Sequence, residues 1–128
     1  MTTPSTTLPT VVGLLHAARA ELVEHGWYQG DLVSDTGCLC LIGALRRAAG
    51  CSPLEEPSDP AHLHVLWDAE RELARPLQLT GAVTSLSGRL EPIEVLAIWN
   101  DQPDRHLAHV IAHLDTVAAD LTTAGRAA

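Results

Sequence analysis

Hydrophobic residues recur at intervals of three or four positions in three long segments of the chain, at about 9–25, 60–75 and 105–121. This spacing places them on one face of a helix and leaves polar residues on the opposite face. We expect the ends of these helices at residues that cap or break a helix, namely Gly26, Ser58 or Asp59, Pro76 and Asp104. The pattern therefore predicts three amphipathic helices.

The segment 40–49 (C-L-I-G-A-L-R-R-A-A) differs from these helices because it is apolar on nearly every side until Arg46 and Arg47. A helix that is apolar all round belongs in the interior of a fold. A shorter helix is expected from Pro92 to about Trp99. We therefore predict an all-α protein, an irregular bundle of four main helices plus one or two short ones around the central segment 40–49.

The chain has 128 residues, a length that is typical of one domain. We place this single helical domain at 9–121. Residues 1–8 are rich in Thr, Ser and Pro and are expected to form a flexible tail, and residues 122–128 are expected to fray. No segment approaches the roughly 18 apolar residues of a membrane span, so no membrane partner is expected.

The charge of the chain narrows its possible partners. The formal net charge is −8, and all eight basic residues are Arg. Because phosphate groups are bound by clustered Lys and Arg, this balance disfavours a nucleic-acid partner. The first residues do not resemble a signal peptide, and three cysteines is an odd number, so we expect free thiols in a reducing cytoplasm. The pattern indicates no cofactor.

Three short motifs occur in order along the chain: Trp27-Tyr28-Gln29-Gly30, Cys40-Leu41-Ile42-Gly43-Ala44-Leu45, and Trp99-Asn100-Asp101 followed by Arg105. In this order they resemble a small uncharacterised domain family of actinobacteria and their phages, with the pattern G-W-x-Q-G, C-L-x-G-A-L and W-N-D-x-x-x-R. The resemblance spans about residues 11–120. It implies an intracellular protein of bacterial or phage type, and it brings no established activity.

The first and third motifs lie at helix ends, so both are able to line one cleft beside Cys40. We expect ligand contacts from residues of these motifs and from one buried acid: Trp27, Tyr28, Gln29, Trp99, Arg105 and Glu70. The first hypothesis is a small binding or accessory protein that recognises a small molecule or a protein partner through this cleft.

A second hypothesis is a cysteine enzyme for acyl transfer or hydrolysis. Cys40 is expected in the first turn of the central helix, where the helix dipole favours a thiolate. His106 or His109 would activate it, Asn100 or Asp101 would orient the imidazole, and Gln29 would donate to an oxyanion. The alternative is that Cys40 is a small buried apolar residue, as free cysteines usually are.

A third hypothesis is a metal-binding protein. The side chains of His106, His109 and His113 line one flank of the last predicted helix. His109 and His113 are four residues apart, a spacing that allows two ligands to share one metal ion. The H-E-x-x-H arrangement of a metalloprotease is missing, and histidines on such a flank are usually solvated or buried for packing.

Glu70 lies within the apolar stripe of its helix, next to Trp67 and Leu73. A carboxylate in such surroundings has to pair with an Arg, accept hydrogen bonds or raise its pKa. We therefore expect either an ion pair at the edge of the core or an acid that lines a pocket.

Overall fold

The computed structural model describes residues 9–84 and 88–125. They form five helices: α1 (Val11–His25), α2 (Leu41–Ala48), α3 (Pro60–Leu79), α4 (Pro92–Asn100) and α5 (Leu107–Thr123). Within these two ranges the only β pairing consists of isolated bridges in the loop between α1 and α2, so the all-α prediction is confirmed. The predicted tail at 1–8 and the last three residues of the predicted frayed end lie outside the described residues.

The first half of the short helix α2 is buried in the bundle, in agreement with its apolar sequence. Leu41, Ala44 and Leu45 are completely buried. The helix packs against α1 on one side and α4 on the other, while α3 packs against α4 and α1. Buried apolar residues of all five helices belong to one core cluster, so α2 and the amphipathic helices share one core.

The third helix runs through Pro76 to Leu79, so the predicted end before Pro76 was wrong. Proline removes one backbone hydrogen bond, a loss that a helix tolerates when the next turn is otherwise held. Here Leu77 is buried in the core, and the backbone N–H and hydroxyl of Thr80 both donate to the carbonyl of Pro76. Packing and capping together extend the helix past its proline.

The prediction that Asp104 caps the last helix was also wrong, because the N-cap of α5 is His106. The backbone N–H of Arg105 donates to the carbonyl of Gln102, which makes a turn of the residues before the helix. The N–H of His106 donates to Nδ1 of His109 at 3.0 Å. By contrast, Asp59 caps α3 as expected and accepts from the N–H of His62.

Cys40 lies one residue before α2, as its N-cap, and not within the first turn. Its backbone is extended because its N–H donates to the carbonyl of Leu32 in the preceding loop. Its sulfur accepts from the N–H of Gly43 at 3.3 Å. Cys40 therefore takes the position that Ser, Thr or Asp usually occupies at a helix N-terminus.

None of the helices in 9–84 and 88–125 has the combination of length and apolar character needed to cross a bilayer.

Candidate functional site

Asn100, the last residue of α4, joins the loop after α1 to the start of α2. Its side chain is 1% exposed. Oδ1 accepts from Trp27 Nε1 at 2.7 Å and from the N–H of Leu41 at 3.1 Å. Nδ2 donates to the carbonyl of Tyr28 at 3.1 Å and to Asp101 at 3.0 Å. An amide offers two donors and two acceptor sites, so every hydrogen bond that Asn100 is able to make is used within the protein.

The neighbouring residues of the same loop hold the carboxyl end of α4. Nε2 of Gln29 donates to the carbonyls of Asn100 and Gln102, at 3.0 and 2.9 Å. The N–H of Gly30 donates to Oδ1 of Asp101 at 2.9 Å. Carbonyls at the end of a helix have no partner inside the helix, and Gln29 supplies one.

Arg105 closes this corner from the other side. Its guanidinium lies 4.1 Å above the ring of Trp99, and Nε donates to the Trp99 carbonyl at 3.0 Å. It also bonds the side chain of Gln102. Burial lowers the pKa of Arg105, and its donors are directed toward the protein. We call this group of bonded side chains the Asn100 corner; its members are Trp27, Tyr28, Gln29, Trp99, Asn100, Asp101, Gln102 and Arg105.

Trp27 and Gln29 of the first motif therefore meet Asn100 of the third, as expected. A cleft of about 250 Å³ lies beside the Asn100 corner, with Cys40, Asp31 and Asp101 among its lining residues. The residues that line this cleft do not include the predicted ligand contacts Trp27, Tyr28, Gln29, Trp99 and Arg105. Most polar groups of the corner bond to one another. The corner fastens the loop to α4 and leaves few free donors or acceptors for a ligand.

Cys40 itself is poorly suited to act as a nucleophile. It is 6% exposed, and burial raises the pKa of its thiol, with the Asp101 charge acting in the same direction. Backbone donors at Gly43 and Ile42 lower the pKa only partly. Within the described ranges the sulfur has no histidine among its hydrogen-bond partners. The thiol is therefore favoured over the thiolate, the opposite of what nucleophilic attack requires.

His106, His109 and His113, at the start of α5 and within it, make separate contacts inside the protein. Nδ1 of His109 accepts from the backbone of His106, and their rings lie 5.3 Å apart. Nε2 of His113 donates to the Leu73 carbonyl at 2.8 Å, and its ring lies 5.0 Å from that of Trp99. Burial lowers the pKa of His113. In the part of the chain that the structure describes, no group of three or more His, Cys, Asp or Glu is placed to hold a metal ion.

Glu70 belongs to a different and larger cavity, of about 420 Å³, between α3 and the start of α4. We call it the Glu70 pocket. Its lining residues come from α3, from the beginning of α4 and from the linker before α3: Trp67, Glu70, Arg71, Glu91, Pro92, Ile93 and Glu56.

The carboxyl of Glu70 is buried without a protein partner. The residue is 4% exposed, and Oε2 has no hydrogen bond within the described residues. Burial raises the pKa of Glu70 to about 7; the charge of Glu56 adds to the increase and that of Arg46 opposes it. The sequence left two alternatives for Glu70, an ion pair at the edge of the core or an acid that lines a pocket. The second fits the structure, since Glu70 forms no ion pair within the described residues.

Trp67 and Glu56 form the exposed wall of the Glu70 pocket. The ring of Trp67 is 42% exposed, so its expected place in the apolar stripe of α3 was only partly right. Its Nε1 donates to Oε2 of Glu56 at 3.0 Å, which fixes the orientation of the ring. The positive charge of Arg71 is already paired with Asp68 at 2.9 Å. The pocket therefore combines an oriented aromatic ring with an excess of carboxyl groups over basic groups in its lining.

Sequence reasoning identified Glu70 but missed Glu56 and Glu91. Glu56 lies in the linker between α2 and α3, and Glu91 directly precedes the proline that starts α4. Each acid directly precedes a proline in the sequence, but of the two only Glu91 lies at a helix boundary, as the N-cap of α4. Glu56, Glu70 and Glu91 share a pocket only because α3 packs against α4, and local sequence patterns do not predict this packing.

Comparison with models of known protein families finds a match over most of the chain. The model of a family of unknown function, DUF6197, matches residues 6–120. Comparisons with curated proteins and with solved structures found no match. The predicted resemblance to an uncharacterised family is thus confirmed, while its actinobacterial and phage distribution stays a prediction.

Proposed function

The chain belongs to this family of unknown function, and we propose that it is a non-catalytic binding module that holds a small ligand in the Glu70 pocket. One observation carries the proposal: Glu70, a residue that is 4% exposed, lines a cavity, and its Oε2 atom has no hydrogen-bond partner within the described residues. The volume of the cavity, about 420 Å³, lies in the range of small-molecule sites.

The cost of burying Glu70 supports a ligand role. An ionised group that loses water without gaining a partner is expensive, and proteins rarely keep such a group for stability alone. A ligand that enters the pocket would supply the missing partner. This argument distinguishes Glu70 from Asn100, which is equally buried but fully bonded.

The cysteines of the chain indicate a cellular setting, and its charge narrows the class of partner. Cys38, Cys40 and Cys51 are all free, which suits a reducing compartment such as the cytoplasm of a bacterial host. The net charge of −8 disfavours nucleic acid as the partner.

A pocket-filling pair of variants tests the proposal. Ile93→Trp would fill the Glu70 pocket, and Ile98→Trp makes the same change at an exposed position of the same helix. A panel of small cationic, neutral and anionic compounds is titrated while the indole N–H resonance of Trp67 is followed by NMR. We expect at least one class of compound to shift the Trp67 resonance in the wild type and in Ile98→Trp, but not in Ile93→Trp.

The proposal fails if no compound of any charge shifts the Trp67 resonance, or if Ile93→Trp binds as well as the wild type. Circular dichroism of both variants shows whether the fold is retained.

The cysteine-enzyme alternative has its own test. Because burial raises the pKa of Cys40, we expect iodoacetamide at pH 7 to label it at least about tenfold more slowly in the folded protein than in urea. Tandem mass spectrometry gives the rate at each cysteine, because fragmentation separates Cys38 from Cys40 within the tryptic peptide 20–46 that contains both. Fast labelling of Cys40 in the folded state would restore the enzyme hypothesis.

A further inference from the structure

We propose that the Glu70 pocket recognises an organic cation, a primary ammonium or guanidinium group, which pairs with Glu70 and packs against the ring of Trp67. This inference rests on the Glu70 pocket being a ligand site. It adds the chemical class of the ligand and the contacts that select it.

The charges around the pocket favour a cation. Three carboxyl groups line it, those of Glu56, Glu70 and Glu91. The one basic residue of the lining, Arg71, is paired with Asp68 at 2.9 Å. An anion would meet repulsion from the lining and from a chain whose formal net charge is −8.

Glu70 supplies the recognition group inside this acidic lining. Its unpartnered oxygen is buried, so a charged hydrogen bond formed there is protected from water and from salt. A neutral donor would also bond to it, but would leave the carboxylate charge uncompensated. The site therefore discriminates by charge more than by shape.

Trp67 provides the second contact. Its ring is partly exposed and is held by the hydrogen bond from Nε1 to Glu56 at 3.0 Å. An indole face attracts a cation within about 6 Å of its centroid. Pro92 and Ile93 add an apolar wall for the methylene groups that ammonium and guanidinium compounds usually carry.

An inorganic cation fits the pocket less well. Calcium takes six to eight oxygen ligands and magnesium demands an octahedral set. The described residues contain no cluster of three or more His, Cys, Asp or Glu that is placed to bind a metal ion. Glu56, moreover, is already bonded to Trp67.

Binding of the cation would also depend on pH. The charged groups that face Glu70 are Glu56 on the linker, Arg46 on α2, and Arg71 and Glu91 in the lining. Because burial raises the pKa of Glu70, part of the population is protonated near neutral pH. A cation requires the ionised form, so its affinity falls as the pH decreases below 7.

Four probes of similar size test whether the pocket selects a cation over a neutral compound or an anion: n-butylguanidinium, n-butylammonium, n-butanol and butyrate. Each is titrated into the full-length protein at pH 8 and at pH 6, with the Trp67 indole N–H resonance as the signal. We expect both cations to bind at pH 8 at least about tenfold more tightly than butanol. We expect butyrate not to bind, and the cations to weaken severalfold at pH 6.

Glu70→Gln tests the assigned residue, since it keeps the shape of the side chain and removes its charge. We expect it to weaken n-butylguanidinium at least about tenfold at pH 8 and to abolish the pH dependence. Glu24→Gln makes the same change at an exposed position of α1 and should leave the affinity unchanged. Thermal melts of both variants confirm that they fold.

A further titration with the capped peptide acetyl-Gly-Arg-Gly-amide distinguishes two sources of the cation, an Arg side chain of a partner protein and a free small molecule. Tighter binding of the peptide than of n-butylguanidinium assigns an Arg side chain of a partner protein, and weaker binding assigns a free small molecule. The inference is overturned if butanol or butyrate binds as tightly as the cations, or if Glu70→Gln leaves cation binding unchanged. If none of these probes binds, the inference fails, and the proposed function is judged separately by the Ile93→Trp experiment.

Discussion

At the scale of single residues, two polar side chains are buried in the described part of the chain, Asn100 and Glu70, and they differ in their hydrogen bonds. Asn100 uses both donors and both acceptor sites, so removing it would leave buried groups without partners. Glu70 has none of these bonds. The sequence marks both residues as unusual, but only coordinates show which of them is satisfied. The hydrogen bonds of Asn100, which was predicted to orient a catalytic imidazole, indicate a structural role, whereas Glu70 remains the candidate ligand contact that the sequence predicted.

Asn100→Ala should destabilise the protein because it leaves the indole N–H of Trp27, the N–H of Leu41 and the carbonyl of Tyr28 without partners. Each unsatisfied buried group costs on the order of 1–3 kcal/mol, so we expect a loss of about 3 kcal/mol or more. Urea denaturation measures this loss in the free energy of unfolding. Gln78→Ala, at an exposed position of α3, should stay within about 0.5 kcal/mol. Equal stability of the two variants would contradict a structural role for the corner.

At the scale of secondary-structure elements, the position of α2 depends on close contact with the loop before it. A Cβ atom built on Gly43 would lie 2.3 Å from the backbone oxygen of Leu32. That same oxygen accepts the N–H of Cys40, so the loop and the helix start are held as one unit. The motif C-L-x-G-A-L therefore contains its glycine for packing against the loop.

Gly43→Ala should be destabilising, although alanine has the higher helix propensity. The new methyl group meets backbone atoms, so the loop has to shift and its bonds to Asn100 weaken. We expect a loss of about 2 kcal/mol or more in the free energy of unfolding. Gly13→Ala in α1 is the control, because its new methyl group meets only the exposed hydroxyl of Thr10 at 3.1 Å. A Gly43→Ala variant as stable as this control would show that the close contact does not constrain the fold.

The helices themselves could be predicted, but three of their ends could not. Periodic apolar residues predict α1, α3 and α5 because burial of one face is a local property of the sequence. The ends at Cys40, Leu79 and His106 depend on packing and hydrogen bonds that the local sequence pattern does not contain; for example, the carbonyl of Leu32 accepts the N–H of Cys40 and holds it in an extended conformation. Helix ends are therefore decided by tertiary contacts that single-residue preferences do not include.

At the scale of the whole molecule, the sequence predicts the core better than the binding site. Segment 40–49 is apolar on nearly every side until Arg46 and Arg47, and this property predicts the observed burial of the first half of α2. The Glu70 pocket, by contrast, combines residues from the linker, α3 and α4, which meet only after the helices pack. An exposed tryptophan beside a buried acid is a signal that appears only at this scale.

The free energy of unfolding should decrease as the pH rises from about 5 to 7.5. Burial raises the pKa of Glu70 to about 7, so the native state holds a proton that the unfolded state, with a pKa near about 4.3, has already lost. The full effect is on the order of 3 kcal/mol. His113 acts in the opposite direction, since burial lowers its pKa and its contribution is lost as the pH falls below about 6.5.

The difference between the wild type and Glu70→Gln isolates this contribution from that of His113. Urea denaturation at several pH values should show similar stability of the two proteins near pH 5 and a more stable variant at pH 8. If the free energies of unfolding of the two proteins changed in parallel from pH 5 to pH 8, the raised pKa of Glu70 would be contradicted.

The most direct test of the account is the pKa of the Glu70 carboxyl, measured by ¹³C NMR in the free protein and with saturating n-butylguanidinium. The account predicts a pKa of about 7 in the free protein and a decrease of at least about one unit with the cation, because ion pairing favours the charged form. A pKa near the ordinary value of about 4.3 in the free protein, or one that the cation does not change, would contradict it.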